Sequence, residues 1–322
     1  MKILHAPYNI VNIPYSISRE FRNMGFECDI MSLDEDPRNF NQSDYIIGHS
    51  SNGVFNNKVR LLSFATFAVL KYDLFQFHQR ITLLPREYDI PVIKWLKKKY
   101  YIYHHGSDVN NNDNYLKHVP HAKGAEAIFI STPDLYDFVP KSAILVPQAI
   151  SIMSLKKYIS QKKKFNNRLK DRTVITHAIY GDEARKHKGS DIIINAIEKL
   201  KARGLDIDFR FFIGKEHDFV LNEISKADIH IDQLIYGWYG TISAEAMAIG
   251  TPVVCFIRPD LEKFAKNLPI FRAEKTNLAE KLDELIHNLK LKRRLSLAGK
   301  EYVHKVHDAP QVSKKILDIY NF

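Results

Sequence analysis

The sequence predicts an α/β protein with two doubly wound, mostly parallel sheets in tandem. First, strand-like and helix-like patterns alternate along all 322 residues, which is typical of parallel sheets with crossover helices. Second, the alternation weakens in a stretch rich in Lys, Asn and Gln and starts again at Thr173. Third, the length suits two domains, each large enough to bury its own core.

The pattern also predicts the limits of the domains. Residues 1–155 form the N-terminal domain, residues 156–172 a basic linker, and residues 173–306 the C-terminal domain. The tail, residues 307–322, is expected to be a helix that packs back on the N-terminal domain. The apolar stretch 61–75 predicts a buried helix that runs into a strand.

The composition excludes several classes of protein. The two cysteines, Cys28 and Cys255, lie in apolar runs, so we expect buried thiols and exclude a disulfide framework. No apolar run reaches the ~20 residues that span a bilayer, and no signal-peptide core follows Lys2. We therefore expect a cytoplasmic protein.

The net charge of +10 favours an anionic partner. Lysine and arginine are concentrated in residues 95–101 and in residues 156–172. These segments are either solvated surface and linker, or a contact with an anionic membrane, which would place the protein on the inner face of that membrane. We expect no nucleic-acid partner, because the sequence contains no recognisable nucleic-acid-binding motif.

The sharpest motif is residues 236–254, with the sequence YGWYGTISAEAMAIGTPVV. A glycine turn leads directly into a helix, whose free N–H groups and partial positive charge can hold a diphosphate. Gly240 lets the backbone approach such a ligand closely. Glu245, about one turn into the helix, can accept both hydroxyls of a ribose, or can simply complement the helix dipole.

Two further motifs follow predicted strands. Residues 185–190 read RKHKGS and place two cations before a helix N-terminus, which suits a diphosphate leaving group, although a solvated basic loop has the same composition. Residues 103–108 read YHHGSD. Because side chains alternate along a strand, only one of His104 and His105 faces the predicted ligand site, and Asp108 can orient the loop.

These motifs resemble those of retaining GT-B glycosyltransferases of the GT4 type. Residues 245–253 match the E-A-M-A-x-G-x-P-V signature, residues 185–189 the R…K-G element, and residues 105–108 the H-G-x-D element. The resemblance implies two Rossmann-like domains that face each other across a cleft. It also implies transfer of a hexose from a nucleotide-diphosphate sugar, UDP being the default, with retention of configuration and without a metal or other cofactor.

The resemblance also implies roles for single residues. Glu245 would bind the ribose, and His105 would lie near the donor sugar and the acceptor. The donor phosphates would be held by two side chains and three backbone amides, those of Arg185, Lys188, Gly240, Thr241 and Ile242. The family commonly carries a second glutamate eight residues before the first. Here that position is Gly237, which leaves the donor sugar open.

The family places the acceptor on the N-terminal domain, and the basic segments point to a cell-envelope polysaccharide or a lipid-linked glycan. We assign no general base, because the donor phosphate can itself accept the proton in retaining enzymes of this type. Two alternatives remain open at this point. One is a non-catalytic GT-B-shaped binding protein, and the other is a nucleotide-sugar epimerase or phosphorylase of the same architecture.

Other chemistries lack their motifs. The sequence contains no G-x-G-x-x-G after the first strand, no G-x-x-x-x-G-K-[ST] and no G-x-S-x-G. Two D-x-D pairs, Asp206 with Asp208 and Asp34 with Asp36, have the spacing of metal-dependent transferases. The first pair precedes a strand and the second lies in a predicted loop, so we expect no catalytic metal.

Overall fold

The computed structural model describes residues 1–34, 42–48, 54–106, 108–109, 115–166 and 172–320. Two residues of the motifs above, Asp36 and Ser107, lie outside this set. The chain divides into two compact units. The first comprises residues 1–149 together with the C-terminal residues from Ala309, and the second comprises residues 150–308. We describe each unit by itself.

The first unit contains a seven-stranded sheet, parallel at every described pairing, with the order β3-β2-β1-β4-β5-β6-β7. Its central strand β1 pairs with β2 on one side and β4 on the other, so that Ile3 lies opposite both Cys28 and Leu74. The strands are β1 Lys2–Ala6, β2 Glu27–Ser32, β3 Tyr45–Ile46, β4 Leu74–His78, β5 Lys99–His104, β6 Ile128–Ile130 and β7 Ile144–Leu145.

The second unit contains a five-stranded parallel sheet with the order β12-β11-β10-β8-β9. Seven residue pairs align β8 with β9, from Thr173 opposite Ile207 to Ile179 opposite Ile213. The strands are β8 Thr173–Ile179, β9 Ile207–Ile213, β10 Ile229–Ile231, β11 Val253–Cys255 and β12 Phe271–Arg272. Both sheets confirm the predicted fold class of doubly wound parallel sheets.

Helices connect the strands. The α-helices are α1 Ile13–Asn23, α2 Val54–Lys71, α3 Ile90–Trp95, α4 Tyr115–His118, α5 Lys156–Asn166, α6 Glu183–Lys188, α7 Ser190–Ala202, α8 His217–Ser225, α9 Thr241–Ile249, α10 Leu278–His287, α11 Leu289–Val306 and α12 Ala309–Tyr320. Short 3-10 turns occupy Ile10–Asn12, Pro85–Glu87, Pro120–Gly124, Pro133–Asp137, Ile152–Leu155 and Pro259–Phe264. None of the helices that the structure describes combines the length and apolarity needed to cross a membrane.

The C-terminal helix α12 completes the core of the first unit. Tyr320 is fully buried, its ring lies 4.4 Å from that of Tyr101, and its hydroxyl donates to Gln76 at 2.7 Å. Phe21 of α1 meets the same ring edge-on at 6.1 Å. A residue 319 positions from the start of the chain therefore packs against the first helix and two central strands.

The segment predicted as a basic linker begins with the helix α5. Tyr158 is buried in the core of the second unit, and Lys162, only 2% exposed, donates to the carbonyl of Ala227. A lysine stem covers apolar surface while its ammonium reaches a polar partner. The density of charges in the sequence therefore concealed a helix that packs within the second unit.

The helix α2 differs from the buried helix that the sequence predicts. One face packs in the core through Phe64 and Ala68, but Leu62, Phe67 and Leu70 on the other face are 58%, 44% and 71% exposed. The sequence is apolar all round, whereas only one side of the helix meets the sheet. The cysteines are free and buried, as predicted.

Candidate functional site

Each sheet has one point where the strand order reverses direction. It lies between β1 and β4 in the first sheet and between β8 and β10 in the second. In open parallel sheets, ligands bind at the carboxyl ends of the strands beside this point. The sequence places charged or ionisable side chains at both points. The group at the first switch point is called the histidine chain and consists of His5, His78 and His105. The group at the second is called the phosphate cluster and consists of Lys188, Asp232 and the start of α9.

The phosphate cluster is organised by Asp232, which follows β10 and is 1% exposed. Its Oδ1 lies 2.7 Å from Nζ of Lys188. Its Oδ2 accepts hydrogen bonds from the amide of Gly240 at 2.9 Å and from the hydroxyl of Ser243 at 2.8 Å. One buried carboxylate thus joins the end of β10, the end of α6 and the first turn of α9.

The charge state of Asp232 follows from these contacts. Burial acts to raise the pKa of Asp232, but the charge of Lys188 and the hydrogen bonds from Lys188 and Gly240 outweigh it and hold the pKa well below its usual range. The carboxylate is therefore ionised. Lys188, whose side chain is 22% exposed, is fixed as a cation beside the start of α9.

The start of α9 offers backbone amides to an anion. Its N-cap residue is Gly240, so that no side chain caps the helix. The amide of Gly240 itself is occupied by Asp232, which corrects the prediction that this amide holds a phosphate. Thr241 and Ile242 are partly exposed residues, and among the described residues no group accepts from their amides. These first-turn donors are suited to an anion.

Arg185 lies elsewhere than the sequence predicts. The stretch predicted as a loop is the short helix α6, and there Arg185 pairs with Asp191 at 2.7 Å. The two side chains are 40% and 65% exposed. Exposed ion pairs contribute only about 0–1 kcal/mol, so the guanidinium can exchange Asp191 for a phosphate at little cost.

Glu245 is held by a partner that the sequence did not indicate. Its carboxylate lies 2.9 Å from Nε2 of His217, the first residue of α8, and the residue is 7% exposed. Glu245 is the fifth residue of α9, and so lies just over one turn from the helix start. The contact with His217 orients the carboxylate at this end of the helix.

Gly237 has a structural reason to be glycine. Its φ of +87° lies in the left-handed region, and a Cβ at this position would lie 2.7 Å from Cβ of Arg258. The carbonyl of Gly237 also accepts from the amide of Arg258 at 2.9 Å. A glutamate does not fit here without moving Arg258, so the conformation of this loop itself favours glycine at position 237.

In the first unit, the structure separates the roles of the adjacent histidines. His104 is fully buried, and it binds Asp108 through Nδ1 and the hydroxyl of Tyr115 through Nε2 at 2.8 Å. Asp108 also accepts from the amide of Gly106 at 3.3 Å. His104 therefore ties the loop to the sheet, with Asp108 orienting it, and His105 points elsewhere.

His105 is the first member of the histidine chain. Its Nε2 lies 2.8 Å from Nδ1 of His78, whose Nε2 lies 2.8 Å from Nδ1 of His5. The outer nitrogens, His105 Nδ1 and His5 Nε2, are buried and have no hydrogen-bond partner among the described residues. The three rings lie side by side at the carboxyl ends of the neighbouring strands β5, β4 and β1, and the row crosses the first switch point.

The histidine chain is uncharged at neutral pH. Burial lowers the pKa of His5 and of His105 to about 3 and holds that of His78 well below its ordinary value. Three neutral imidazoles joined in this way have two aligned arrangements of tautomers, in which every ring donates in the same direction.

The comparisons with known proteins rest on structure. No protein-family model and no curated protein matches the sequence. Among solved structures, sucrose-phosphate synthase from Thermosynechococcus elongatus is similar, with a TM-score of 0.68 and 15% identity over 99% of this chain and 98% of that one. The catalytic domain of starch synthase IV from Arabidopsis thaliana, bound to ADP and acarbose, has a TM-score of 0.65 and 10% identity over 99% and 98%.

This chain has the GT-B fold. The same architecture is shared by UDP-GlcNAc 2-epimerase from Neisseria meningitidis, bound to UDP-GlcNAc, with a TM-score of 0.58 and 14% identity over 99% of each chain. Identities of 10–15% establish the fold and leave the activity to be argued from the residues. The GT-B neighbours include both glycosyltransferases and epimerases of nucleotide sugars.

The depressed pKa values of the histidine chain predict a loss of stability in acid. Stability is fully present above the unfolded-state pKa of about 6.5 and is lost as pH falls toward 3, because the unfolded chain then binds protons that the folded chain excludes. Each histidine should lower the free energy of unfolding by about 1.4 kcal/mol between pH 7.5 and 5.5.

Urea unfolding at both pH values measures this loss. The loss should be smaller in His78→Gln than in the parent, whereas exposed His118→Gln should match the parent. Equal losses in all three proteins would contradict the account.

The conformation of Gly237 predicts a cost for any side chain. Gly237→Ala should lower the free energy of unfolding by about 1–3 kcal/mol, because of the positive φ and the contact with Arg258. Gly181→Ala is the matched control, since its φ is not in the left-handed region and a Cβ there meets nothing within 4 Å. If chemical denaturation gives the same stability for both variants, the structural reason for Gly237 is wrong.

Proposed function

We propose that this protein is a glycosyltransferase that transfers a hexose from a nucleotide-diphosphate sugar, with UDP as the first nucleotide to test. The single observation that carries the proposal is the phosphate cluster. A lysine fixed by a buried carboxylate stands beside two unpaired helix amides, at the switch point of a parallel sheet. The GT-B fold and its nucleotide-sugar-binding neighbours support the same assignment.

The cluster suits the departure of a diphosphate. As the glycosidic bond breaks, negative charge develops on the leaving group, and donors already in place stabilise it without reorganisation. Asp232 fixes Lys188 before any ligand arrives. The amides of Thr241 and Ile242 add the positive end of the α9 dipole. Arg185 can join by leaving its exposed partner Asp191.

Other residues would complete the site. Glu245 would grip the ribose of the donor, held in orientation by His217. We also propose that His105, in the first unit, bonds a sugar hydroxyl. We further propose retention of configuration without a metal, with the donor phosphate as proton acceptor.

For the acceptor we propose a lipid-linked or cell-envelope polysaccharide at the inner face of a membrane, the protein itself being cytoplasmic. Trp95 at the end of α3 is 80% exposed, and Leu70 near the end of α2 is 71% exposed. Lys98 joins the two regions, because its ammonium donates to the carbonyl of Tyr72 at 2.6 Å and to that of Leu70 at 3.3 Å. With Lys97 and other exposed lysines nearby, this surface combines interfacial apolar groups with positive charge.

An epimerase is the second candidate, because several similar structures are UDP-GlcNAc 2-epimerases. The two activities differ in what they require. An epimerase converts the donor alone, whereas a transferase releases nucleoside diphosphate in proportion to glycosylated acceptor. A non-catalytic binding protein would bind the nucleotide sugar and turn over nothing.

The proposed activity predicts that one nucleotide sugar binds to the protein and serves as its donor substrate. A thermal-shift screen against UDP, GDP, ADP and their sugars should show one donor that raises the melting temperature, with or without magnesium. That donor should then yield glycosylated acceptor from a polysaccharide or polyprenyl-phosphate acceptor series. A new sugar isomer formed from the donor alone would favour the epimerase and reject the transferase.

Variants of the phosphate cluster sharpen this test. The double variant Lys188→Met/Asp232→Asn removes the buried ion pair as a whole, which avoids the cost of an unpaired buried charge. It should lose about 2–4 kcal/mol of transition-state stabilisation in kcat/KM. Lys186→Met, exposed on the same helix, is the control and should retain activity. Unchanged turnover in a folded double variant would remove Lys188 from the mechanism.

The proposed contact between Glu245 and the ribose predicts a separate effect on donor binding. Glu245→Gln keeps the shape of the side chain but loses the charge, so donor affinity should fall by about 1.5–3 kcal/mol, with little change in the melting temperature of the free protein. Calorimetric titration with nucleoside diphosphate measures this loss. Glu183→Gln, exposed on α6, should bind like the parent. Equal affinity in all three proteins would reject the ribose contact.

The membrane contact predicts binding to anionic lipid through Trp95. Co-sedimentation with phosphatidylglycerol vesicles should be strong for the parent and weaker by about fivefold or more for Trp95→Ala, because an interfacial aromatic ring is lost. Met153→Ala removes an exposed apolar side chain of the second unit and is the control. Binding that is absent in the parent, or equal in both variants, would contradict this surface.

A further inference from the structure

A cavity of about 1010 Å³ lies in the second unit at the edge of the sheet opposite the phosphate cluster. Its wall contains residues that begin or directly precede four strands, namely Thr173, Asp206, Asp228 and Pro252. The helix α9 links the two edges, since it starts in the phosphate cluster and its C-cap residue Gly250 lines the cavity. Nine residues of helix span about 14 Å, so the cavity is separate from the proposed donor site.

The cavity is lined by cations from several parts of the second unit. Two aspartates and six lysines or arginines form its wall, the cations being Lys162, Arg172, Arg203, Lys292, Arg293 and Lys300. The carboxylate of Asp228 is turned to the backbone, where it accepts from the amide of Val174 at 3.0 Å. The cavity therefore carries an excess of positive charge, which favours an anionic occupant.

The surroundings of Lys300 show that carboxylates balance the positive charge of the cavity only in part. The side chain of Lys300 packs against Gly250 at the carboxyl end of α9, where the helix dipole favours a cation. Even so, burial lowers the pKa of Lys300, and the neighbouring charge of Lys163 lowers it further. In the part of the chain that the structure describes, no carboxylate lies within 4 Å of Lys300 or Arg293.

The size and mouth of the cavity indicate what the anion carries. The volume is near the upper end of the range for pockets that hold organic ligands and far exceeds that of an inorganic ion. Leu289 and Leu297 of α11 line the same cavity and are 65% and 69% exposed. A ligand with a multiply charged phosphate end and an organic remainder matches both features.

We propose that this cavity is a second, phosphate-binding site that takes a phosphorylated organic ligand, separate from the donor site. Arg293, Lys300 and Lys292 of α11 bind the phosphate, and Leu289 and Leu297 contact the organic part at the mouth. The phosphate belongs either to a free metabolite or to a lipid headgroup, which present the same chemistry to these cations. The proposal does not depend on the glycosyltransferase assignment.

The test uses two double variants that change the charge equally. Arg293→Gln/Lys300→Gln alters residues that line the cavity, and Arg294→Gln/Lys290→Gln alters exposed neighbours on the same helix that do not. Glutamine keeps much of each side-chain stem, and circular dichroism and melting temperature check the fold of both. Pyrophosphate binding is measured by calorimetry in the Lys188→Met/Asp232→Asn background, where the donor site is disabled.

In that background the cavity should still bind pyrophosphate, and the cavity variant should weaken this binding at least about tenfold, while the control variant should not. A second arm measures co-sedimentation of the same variants, each carrying Trp95→Ala, with vesicles that contain phosphatidic acid, whose phosphate can be doubly charged, and with phosphatidylcholine vesicles as the blank. A selective loss in the first arm identifies a free phosphate compound, and a selective loss in the second alone identifies a headgroup. If the cavity variant and the control behave alike in both arms, the site does not exist. Loss of glycosyltransfer activity has no bearing on this result.

Discussion

The second unit depends on one buried carboxylate. Asp232 has three partners, namely Lys188 of α6 and, at the start of α9, the amide of Gly240 and the hydroxyl of Ser243. Each is a donor, so the charge is retained although the residue is 1% exposed. Removing only Lys188 would leave this charge buried without its cation, at a typical cost of about 3–5 kcal/mol. The same interaction that stabilises the fold also holds Lys188 beside the start of α9.

The sequence was sufficient for the fold class, and it brought out several residues that the structure places at the second switch point. Strand and helix periodicity predicted both sheets, and the glycine turn before residue 241 predicted a helix start for anions. The partner of Lys188 was not predictable in this way, because Asp232 lies 44 positions further along the chain and meets it only through the strand order of the sheet. The histidine chain was missed for the same reason. His5 and His78 lie at the carboxyl ends of their strands and His105 directly follows one, but their pairing depends on which strands are neighbours.

Some of the predictions about burial were wrong, because the charge or apolar composition of a segment does not show which of its faces is buried. The segment after residue 155 contains many lysines, yet α5 buries Tyr158 and the stem of Lys162. The opposite error occurred at α2, whose outer apolar side chains remain exposed. The amide of Gly240 was assigned to a phosphate because the sequence gives no sign that a side chain already occupies it. For α5 the deciding contact joins residues distant along the chain, since Lys162 meets the carbonyl of Ala227 65 positions later.

The most direct measurement is a crystal structure with a bound nucleoside diphosphate, beginning with UDP. Our account predicts phosphate oxygens within hydrogen-bonding distance, about 2.7–3.1 Å, of Lys188 Nζ and of the amides of Thr241 and Ile242. Asp232 should keep its contacts with Gly240 and Ser243, and the ribose hydroxyls should meet Glu245. A nucleotide bound at another edge of the sheet, or a diphosphate that leaves Lys188 paired with Asp232 alone, would contradict the account.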